Sequence, residues 1–317
     1  MQPSGQPLVG TSEKPLRTGL SYRFRISNRW FGFLCLVPAL LVLGAVVAVP
    51  LGRTILTSFQ YYTLLDLTGS GRFVGLRNFQ TVLADSAFWT SVYRTATFVF
   101  FALAGQFTIG FSLALLLNQR IRGRSWIRGA FLLPWILPSA ETTLLWMWMA
   151  NPQYGIVNWV LQRLGLIGNF QNWFADPSLA MPALVAAVIW RGFPFHMLAL
   201  LAGLQTIPLE VIEAAKIDGA GAVRRFRYIT LAHMRYVILA TLLISMIWLN
   251  QHFITVWVLT AGGPGDATET LAVHVYRAAF ESWDLGIASA MGLVWLGFMM
   301  GIAGLAIYFT TRKYETT

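Results

Sequence analysis

The sequence predicts an all-α membrane protein with six transmembrane helices, and two observations predict it: the composition and the spacing of the apolar stretches. Of the 317 residues, 56% are hydrophobic and only 11% are charged, whereas about 25% of the residues in a soluble domain are charged. So few charges cannot cover a surface that faces water. We therefore expect lipid to be the main solvent of the chain.

Six apolar stretches approach the roughly 20 residues that a helix needs to cross a bilayer. They do not alternate as barrel strands do, and a helix satisfies its own backbone hydrogen bonds in hydrocarbon. Four prolines lie within or at the ends of these stretches and predict kinks or local breaks. These prolines are Pro38, Pro134, Pro138 and Pro194. The six predicted spans are residues 31–51, 91–117, 127–149, 181–204, 236–259 and 285–310.

A polar N-terminal tail, residues 1–29, precedes the first span. A cleavable signal peptide is not predicted, because the apolar run that follows is too long and no small-residue cleavage site ends it. The sequence thus divides into this tail, a transmembrane domain at 30–312 and a C-terminal tail at 313–317. The N-terminal tail has one acid, Glu13, and the basic residues Lys14, Arg17, Arg23, Arg25 and Arg29.

The lysines and arginines of the connections predict the orientation in the membrane. If both termini share one side, that side holds 16 of these residues, in the tails and in the connections at 118–128 and 205–235, and the opposite side holds five. Cytoplasmic connections carry the excess of Lys and Arg. We therefore expect a multi-pass protein of the bacterial cytoplasmic membrane with both termini in the cytoplasm. This placement explains the net charge of +10 without nucleic acid as a partner.

The outer connections at 52–90 and 150–180 are long and rich in aromatic residues, Asn and Gly. Such a surface is suited to meeting an external partner. Residues 151–161 predict a turn and then a short amphipathic helix that lies on the membrane. A simple packed cap is the alternative interpretation of the same residues.

Catalytic, nucleotide and metal sites have no recognisable pattern in the sequence. The phosphate-binding pattern GxxxxGK[ST] is absent, so the chain is not expected to bind ATP in that way by itself. The histidines at 196, 233, 252 and 274 have no metal-ligand spacing, and Cys35 has no second cysteine with which to form a disulfide. We therefore expect no enzymatic activity and no bound cofactor in this chain.

The most polar long internal segment lies between the fourth and fifth spans. Pro208 suits the first turn of a helix, and Glu210 and Glu213 lie near its N-terminus, where the helix dipole favours negative charge. Gly219 suits the left-handed residue that follows a helix. These signals predict a short helix at 208–218, and a second helix from about residue 221 that leads into the fifth span.

This short helix has the features of a docking surface. Ala214 and Ala215 are small, so a groove of another protein can approach the helix closely. Glu213 and Asp218 flank the alanines with charge that can pair with basic residues of a partner. Apolar anchors are available at Leu209, Ile212 and Ile217. The alternative is an ordinary connector helix whose alanines reflect helix propensity.

Residues 213–231 resemble the EAA loop in permease subunits of binding-protein-dependent ATP-binding cassette (ABC) importers, whose pattern is EAAxxDGAxxxxxFxxIxLP. The chain departs from this pattern at the final proline, where Ala232 stands. The matching positions are Glu213, Ala214, Ala215, Asp218, Gly219, Ala220, Phe226, Ile229 and Leu231.

Four further segments resemble the maltose-permease-like class of sugar importers and extend the resemblance over roughly residues 30–312. In chain order they are FVGLRNF at 73–79, LTAGGP at 259–264, YRAAF at 276–280 and GIASA at 286–290.

The resemblance implies a type I ABC importer permease fold with a cytoplasmic coupling helix between spans 4 and 5. It also implies four kinds of partner: membrane lipid, a second permease subunit, two ATPase subunits that bind ATP and Mg, and an extracytoplasmic solute-binding protein. The implied ATPase contacts are Glu213, Ala214, Ala215, Asp218, Gly219 and Ala220.

Polar side chains within membrane spans are costly and therefore mark candidate substrate contacts. Arg191 and His196 flank a glycine and a proline that could loosen the fourth span, and they favour an anionic sugar derivative or a glycerol phosphodiester as an alternative substrate. Arg191 could instead pair with Glu141 or with a carbonyl group as part of the structure. The candidate path residues are Glu141, Trp190, Arg191, Phe193, His196, Trp248, Asn250 and Gln251, with His252 beside them.

Two other classes of function are alternatives. A secondary transporter driven by an ion gradient needs buried ionisable groups, and Glu141 is the only acidic candidate well inside a predicted span. No internal repeat of the spans is evident either. A membrane enzyme would depend on Glu141, Arg191 and His196, which have no nucleophile beside them.

Overall fold

The computed structural model describes residues 28–65, 71–119 and 121–311. Residues 1–27 of the predicted N-terminal tail and the whole predicted C-terminal tail, 313–317, lie outside the described residues. So do the charged residues Glu13, Lys14, Arg17, Arg23, Arg25, Asp66, Arg120, Arg312, Lys313 and Glu315.

Helices dominate the described residues, which confirms the predicted all-α class. One-turn π-helical segments at Gly44–Ala48 and Phe226–Thr230 join α1 to α2 and α10 to α11. The helices are α1 (Asn28–Leu43), α2 (Val49–Ser58), α3 (Arg77–Ala84), α4 (Ser86–Leu117), α5 (Arg124–Ile136), α6 (Ser139–Met149), α7 (Ile156–Arg163), α8 (Ala180–Leu204), α9 (Leu209–Ile217), α10 (Ala222–Arg225), α11 (Leu231–Leu249), α12 (Phe253–Thr260), α13 (Leu271–Phe280) and α14 (Leu285–Thr311).

The N-terminal structural unit ends at Gly52 and consists, in its described part, of α1, the first π-helical turn and the start of α2. Its large apolar side chains are exposed along the whole length, from Trp30 through Leu41 to Val49. A helix that is apolar all round requires an apolar environment, and lipid supplies one.

Five helical stretches in the described part of the chain are long and apolar enough to cross a membrane. Four predicted spans, 31–51, 91–117, 181–204 and 285–310, coincide closely with four of them. The five stretches are Trp30–Ser58, Ser86–Leu117, Ala180–Leu204, Ala222–Leu249 and Leu285–Leu305.

The third predicted span, 127–149, is not one continuous helix. It is divided into α5 and α6, which are separated at Leu137 and Pro138. Leu137 has an extended backbone (φ −66°, ψ 135°), because the ring of a following proline disfavours the helical conformation. Pro134, in contrast, lies inside α5.

The fifth predicted span, 236–259, is also interrupted. The helix begins earlier, at Ala222, and α11 ends at Leu249, after which Asn250–His252 form a turn before α12. The Nδ2 of Asn250 donates a hydrogen bond to the carbonyl oxygen of Met246 at 2.7 Å, so this side chain competes with the backbone for a helical acceptor. The break exposes polar groups inside what the hydropathy predicts as one span.

The structure also contains a small antiparallel ribbon, which the all-α prediction did not include. Strand β1 (Gln60–Tyr61) pairs with β2 (Arg72–Phe73), with Gln60 opposite Phe73. The buried Asn78 at the start of α3 donates from Nδ2 to the carbonyl oxygens of Ser58 (2.9 Å) and Gln60 (2.8 Å). These bonds fix the ribbon against the N-terminal end of α3.

The core centres on the contact between α4 and α8. One cluster joins Phe98, Val99 and Ala102 of α4 to Leu184 and Val188 of α8. A second cluster further along the same two helices joins Phe111, Ala114 and Leu117 to Met197, Leu200 and Leu204. Small residues allow the two backbones to approach closely, as is usual between membrane helices.

Gly110 lies where α4 and α8 approach each other closely. A Cβ placed there would lie 2.5 Å from the Cβ of His196 and 2.8 Å from the carbonyl oxygen of Phe193. We expect Gly110→Val to destabilise the fold by about 1–3 kcal/mol through overpacking, measured as a lower midpoint of thermal unfolding in detergent. Gly129→Val in α5 is the matched control, because a Cβ there meets no atom within 4 Å. Equal losses in the two variants would refute the steric explanation.

The outer connection contains the predicted turn and short helix, with α7 following the turn at Asn151. Asn158 of α7 is buried and fully hydrogen-bonded. Its Nδ2 donates to the carbonyl oxygens of Asn151 (3.1 Å) and Gln171 (3.0 Å), and its Oδ1 accepts from the N–H of Gln171 (3.0 Å) and the indole of Trp173 (2.9 Å). The buried face of α7 therefore agrees with the alternative interpretation, in which these residues form a packed cap.

Candidate functional site

The EAA loop, residues 205–235, contains the short helix that the sequence predicts. Pro208 precedes α9 with an extended backbone (φ −59°, ψ 134°), and Glu210 lies in the first turn. Pro208 therefore occupies the cap position and not the first helical turn. The predicted helix at 208–218 is one residue longer at each end than the observed Leu209–Ile217.

Gly219 ends α9 in the left-handed conformation that the sequence predicts, with φ +73°. Its N–H donates to the carbonyl oxygen of Lys216 (3.1 Å), and the N–H of Ala220 donates to that of Ala215 (2.9 Å). These two bonds form a Schellman cap. The motif's glycine thus has a structural reason that is independent of any partner.

Arg225 connects the second short helix to this cap. Its Nη1 donates to the carbonyl oxygen of Ala220 at 2.6 Å. From α10 the chain passes through the π-helical turn into α11 without a break, and Ala232 lies in the first turn of α11. The loop is thus a rigid element that ends directly on a membrane-length helix.

The surface of α9 is largely exposed. Glu213, Ala214 and Asp218 are exposed, as is Gly219 beyond the helix end, whereas Ala215 and Ala220 are partly buried. Two apolar side chains extend this surface, since Ile217 is 87% and Val223 is 80% exposed. Large apolar side chains that are exposed beside polar residues are suited to contact with another protein.

A second candidate site is an open, polar cavity of about 310 Å³ lined by residues of α4, α5, α6, α8, α11 and α12. The turn that interrupts the fifth predicted span contributes two of its lining residues, Gln251 and His252. The cavity is lined by Gln106, Trp135, Ser139, Arg191, Gly192, Phe195, Ser245, Trp248, Leu249, Gln251, His252, Ile254 and Thr255.

Three aromatic rings follow one another along this cavity. The ring centroids of Trp135 and Phe195 are 6.2 Å apart, and those of Phe195 and Trp248 are 4.9 Å apart. Hydroxyl and amide groups complete the lining, so the cavity offers apolar faces together with hydrogen-bonding groups. This combination is typical of small-molecule sites and suits a sugar, which has apolar ring faces and a rim of hydroxyl groups.

Arg191 brings a charge into the cavity. Its side chain is partly buried, and its buried Nε has no hydrogen-bond partner within the described residues. Glu141, the acid proposed as its structural partner, is exposed in the first turn of α6 and does not line the cavity. No ion pair between the two is present in the described part of the chain.

Three of the eight predicted path residues, Arg191, Trp248 and Gln251, line the cavity. The others lie elsewhere. Trp190 packs edge-on against Trp146, with centroids 6.1 Å apart, and Phe193 is buried against Phe131.

His196 and Asn250 are polar groups with incomplete hydrogen bonding outside the polar cavity. The ring of His196 is fully buried beside Phe107 and Phe195, and neither ring nitrogen has a hydrogen-bond partner within the described residues. Asn250 lines a neighbouring cavity of about 280 Å³, which it shares with His252 and Thr95.

Several cavity residues were not predicted. Gln106 of α4 is the one that the sequence could have indicated. Like Asn250, it is a polar amide within a predicted span, and burial of such a group is costly. Its Nε2 donates to the carbonyl oxygen of Val188 at 3.0 Å, and its amide occupies the space that a side chain at Gly192 would fill. The other unpredicted lining residues are Trp135, Ser139, Phe195, Ser245, Leu249, Ile254 and Thr255, with Gly192 contributing backbone.

A cluster of charges around Glu269, the Glu269 cluster, joins α13 and the loop before it to Arg94 near the start of α4. The buried carboxylate of Glu269 is 3.1 Å from Nδ1 of His274 and 3.2 Å from Nη1 of Arg277. Its second oxygen is 3.9 Å from Nη1 of Arg94 on α4. This one carboxylate therefore links α4 to α13.

Arg277 extends the cluster to the loop between α12 and α13. It donates from Nη1 to Asp266 at 2.8 Å and from Nη2 to the carbonyl oxygen of Ala261 at 2.8 Å. The hydrogen bond to Asp266, followed by the attraction of Glu269, raises the pKa of the Arg277 guanidinium. Arg277 therefore stays charged and holds the loop against α13.

Known proteins match this chain over most of its length. A family model described as binding-protein-dependent transport system inner membrane component matches residues 106–312. The sulfoquinovosyl glycerol transport system permease protein SmoG of Agrobacterium fabrum is 34% identical over 91% of this chain and 92% of its own length. The trehalose/maltose transport system permease protein MalF of Thermococcus litoralis is 34% identical over 93% of this chain and 98% of its own.

A solved structure shares the fold. A chain in the crystal structure of a bacterial alginate ABC transporter in complex with an alginate pentasaccharide-bound periplasmic protein superposes with a TM-score of 0.77 at 21% identity. The match covers 89% of this chain and 94% of that one. The predicted type I ABC importer permease fold is thereby confirmed.

Proposed function

Because the chain belongs to the family of inner membrane components of binding-protein-dependent transport systems, we propose that it is a permease subunit of an ATP-driven importer for a sugar or sugar derivative. The observation that carries the substrate class is the polar cavity, which the rings of Phe195 and Trp248 line together with hydroxyl and amide groups. Two relatives named for trehalose/maltose and sulfoquinovosyl glycerol transport support it.

In this proposal the chain itself performs no bond chemistry. It pairs with a second permease to form the translocation path, and two ATPase subunits bind ATP and Mg. A solute-binding protein delivers the substrate from outside, as a periplasmic protein accompanies the alginate transporter of similar fold. The excess of Lys and Arg supports placing both termini and the EAA loop in the cytoplasm of a bacterial cell.

The EAA loop supplies the mechanical connection in this scheme. Closure of the ATPase subunits on ATP would draw α9 and its counterpart in the second permease together. Because Arg225 and the Schellman cap make the loop rigid, movement of α9 is passed to α11, which lines the cavity through Ser245 and Trp248. ATP shifts the transporter between inward and outward states only if the partners bind the two states with different affinity.

Replacing Trp248 with alanine tests the cavity as the sugar path. We expect Trp248→Ala to lower ATP-dependent uptake about 10-fold, as the loss of a ring contact of about 1.5 kcal/mol predicts. The measurement is uptake of a panel of radiolabelled mono- and oligosaccharides, both neutral and anionic, into proteoliposomes that contain the assembled importer with its binding protein.

Trp159→Ala is the matched control, since Trp159 on α7 is 50% exposed and Trp248 is 46% exposed. The control is expected to leave uptake at the parental rate. If Trp248→Ala importers assembled normally and took up every sugar at that rate, the cavity would not be the path. If no sugar of the panel were taken up by the parental importer, the proposed substrate class would be wrong.

A further inference from the structure

We propose that the polar cavity selects a sugar bearing an oxyanion, namely a carboxylate, sulfonate or phosphate, and that Arg191 binds this group. The inference rests on the proposed permease function and names its substrate class. It starts from the balance of charge inside the cavity.

Arg191 is the one permanently charged side chain among the cavity residues that the structure describes, and His252 is the second basic group. No carboxylate is present among the lining residues. A guanidinium within the span region of a membrane protein is costly unless it is paired. The buried Nε of Arg191 has no partner in the described residues, so the cavity has an unbalanced positive charge.

The acids within the described residues do not supply the missing charge. Glu141 is exposed outside the cavity. Glu269 and Asp266 are paired with Arg277, and Glu269 also faces Arg94. The remaining described acids do not line the cavity either. A ligand that brings its own negative charge would therefore satisfy Arg191.

The surroundings of Arg191 suit a sugar that carries such a group. Gly192, the next residue, has no side chain, and the amide of Gln106 packs over its backbone. Gln106 is fixed by its hydrogen bond to Val188 (3.0 Å), so a polar amide is held in the same cavity as Arg191. One helical turn after Arg191 on α8, Phe195 lines the same cavity, and its ring lies 4.9 Å from that of Trp248.

This arrangement separates two recognition tasks. The aromatic rings can face the apolar side of a pyranose ring, and the amide and hydroxyl groups can bind its hydroxyls. A guanidinium is planar and presents paired N–H donors that match two oxygens of a carboxylate, sulfonate or phosphate. Lysine would offer a charge without this paired geometry.

The test compares neutral and anionic probes in the assembled importer. Methyl glucoside is the neutral counterpart of methyl glucuronide, a carboxylate, and of methyl 6-sulfoquinovoside, a sulfonate. Trehalose is the neutral counterpart of trehalose 6-phosphate. Uptake into proteoliposomes is measured for the parental importer, Arg191→Gln and Arg191→Lys. We expect Arg191→Gln to lower the ratio of anionic to neutral probe uptake about 10- to 100-fold, as loss of a charge-assisted hydrogen bond predicts. Arg191→Lys should retain part of the uptake of anionic probes.

Several outcomes would overturn the inference. If the parental importer preferred neutral probes, Arg191 would not select an anion. The same conclusion would follow if Arg191→Gln lowered the uptake of both probe classes equally. Loss of the second permease from purified Arg191→Gln complexes, with rescue by Arg191→Lys, would instead assign the counter-charge to that subunit. These outcomes would leave the proposed function, import of a sugar, unaffected. Absence of uptake for both probe classes would overturn the proposed function as well.

Discussion

Replacing Ala214 with arginine is expected to abolish uptake and to weaken binding of the ATPase subunits about 100-fold. Ala214 is exposed on α9, beside the exposed Ile217. A bulky charge at the centre of a close-packed interface costs on the order of 3 kcal/mol, as truncations at hot spots do, and this corresponds to about 100-fold in affinity. The fold of α9 should survive, because arginine has a helix propensity close to that of alanine.

Two measurements separate docking from folding in this variant. Co-purification of the ATPase subunits with the tagged permease reports docking, and the midpoint of thermal unfolding of the permease reports folding. Gln153→Arg adds the same charge at an exposed turn of the outer connection, and there we expect both values to be unchanged. If Ala214→Arg complexes kept their ATPase subunits and their uptake, α9 would not be the docking surface.

The ends of α9 could be predicted from sequence because their causes are local. Pro208 and Gly219 constrain their own backbone dihedral angles, whatever the rest of the chain does. The break at Pro138 belongs to the same class, since the proline restricts Leu137. The break at Asn250 is different, because no proline or glycine marks it, and the side chain and backbone N–H of Asn250 share the carbonyl oxygen of Met246. Hydropathy does not register such a bond, so residues 236–259 read as one span.

The cavity was predicted only in part because hydropathy does not say which face of an apolar helix points inward. Arg191, Trp248 and Gln251 stand out as polar or amphipathic residues in apolar stretches, and the cost of burying them marks them as candidates. Phe195 and Trp135 look like any lipid-facing aromatic residue in the sequence. Only the packing of α8 against α4, through glycines such as Gly110, turns Phe195 toward the cavity.

The Glu269 cluster was missed for a related reason. Its charges are far apart along the chain, from Arg94 to Arg277, and most lie in connections where charge is inexpensive. Their contact depends on α4, the 261–270 loop and α13 coming together, which no local pattern encodes. The segments LTAGGP and YRAAF were recognised as family motifs, and the structure adds that Arg277 of the second hydrogen-bonds the carbonyl oxygen of Ala261 in the first.

Neutralising Glu269 is expected to destabilise the protein more than any other single charge change in this cluster. The side chain of Glu269 is 9% exposed and contacts His274, Arg277 and Arg94. Glu269→Gln keeps the shape but leaves two guanidinium groups without a buried counter-charge. Removing one partner of a buried ion pair lowers the free energy of unfolding by about 3–5 kcal/mol. Because the arginine partners are partly exposed, we expect a loss near the lower limit of this range.

The control for Glu269→Gln is the same substitution at Glu281, which faces the same guanidinium. Glu281 is 3.8 Å from Nε of Arg277 with a side chain that is 54% exposed, and an exposed pair contributes about 0–1 kcal/mol. We therefore expect Glu269→Gln to lower the midpoint of thermal unfolding in detergent by about 10 °C and Glu281→Gln to change it by a few degrees at most. Similar shifts in the two variants would mean that burial of Glu269 adds nothing, and Arg277 would then hold the loop through Asp266 and Ala261 alone.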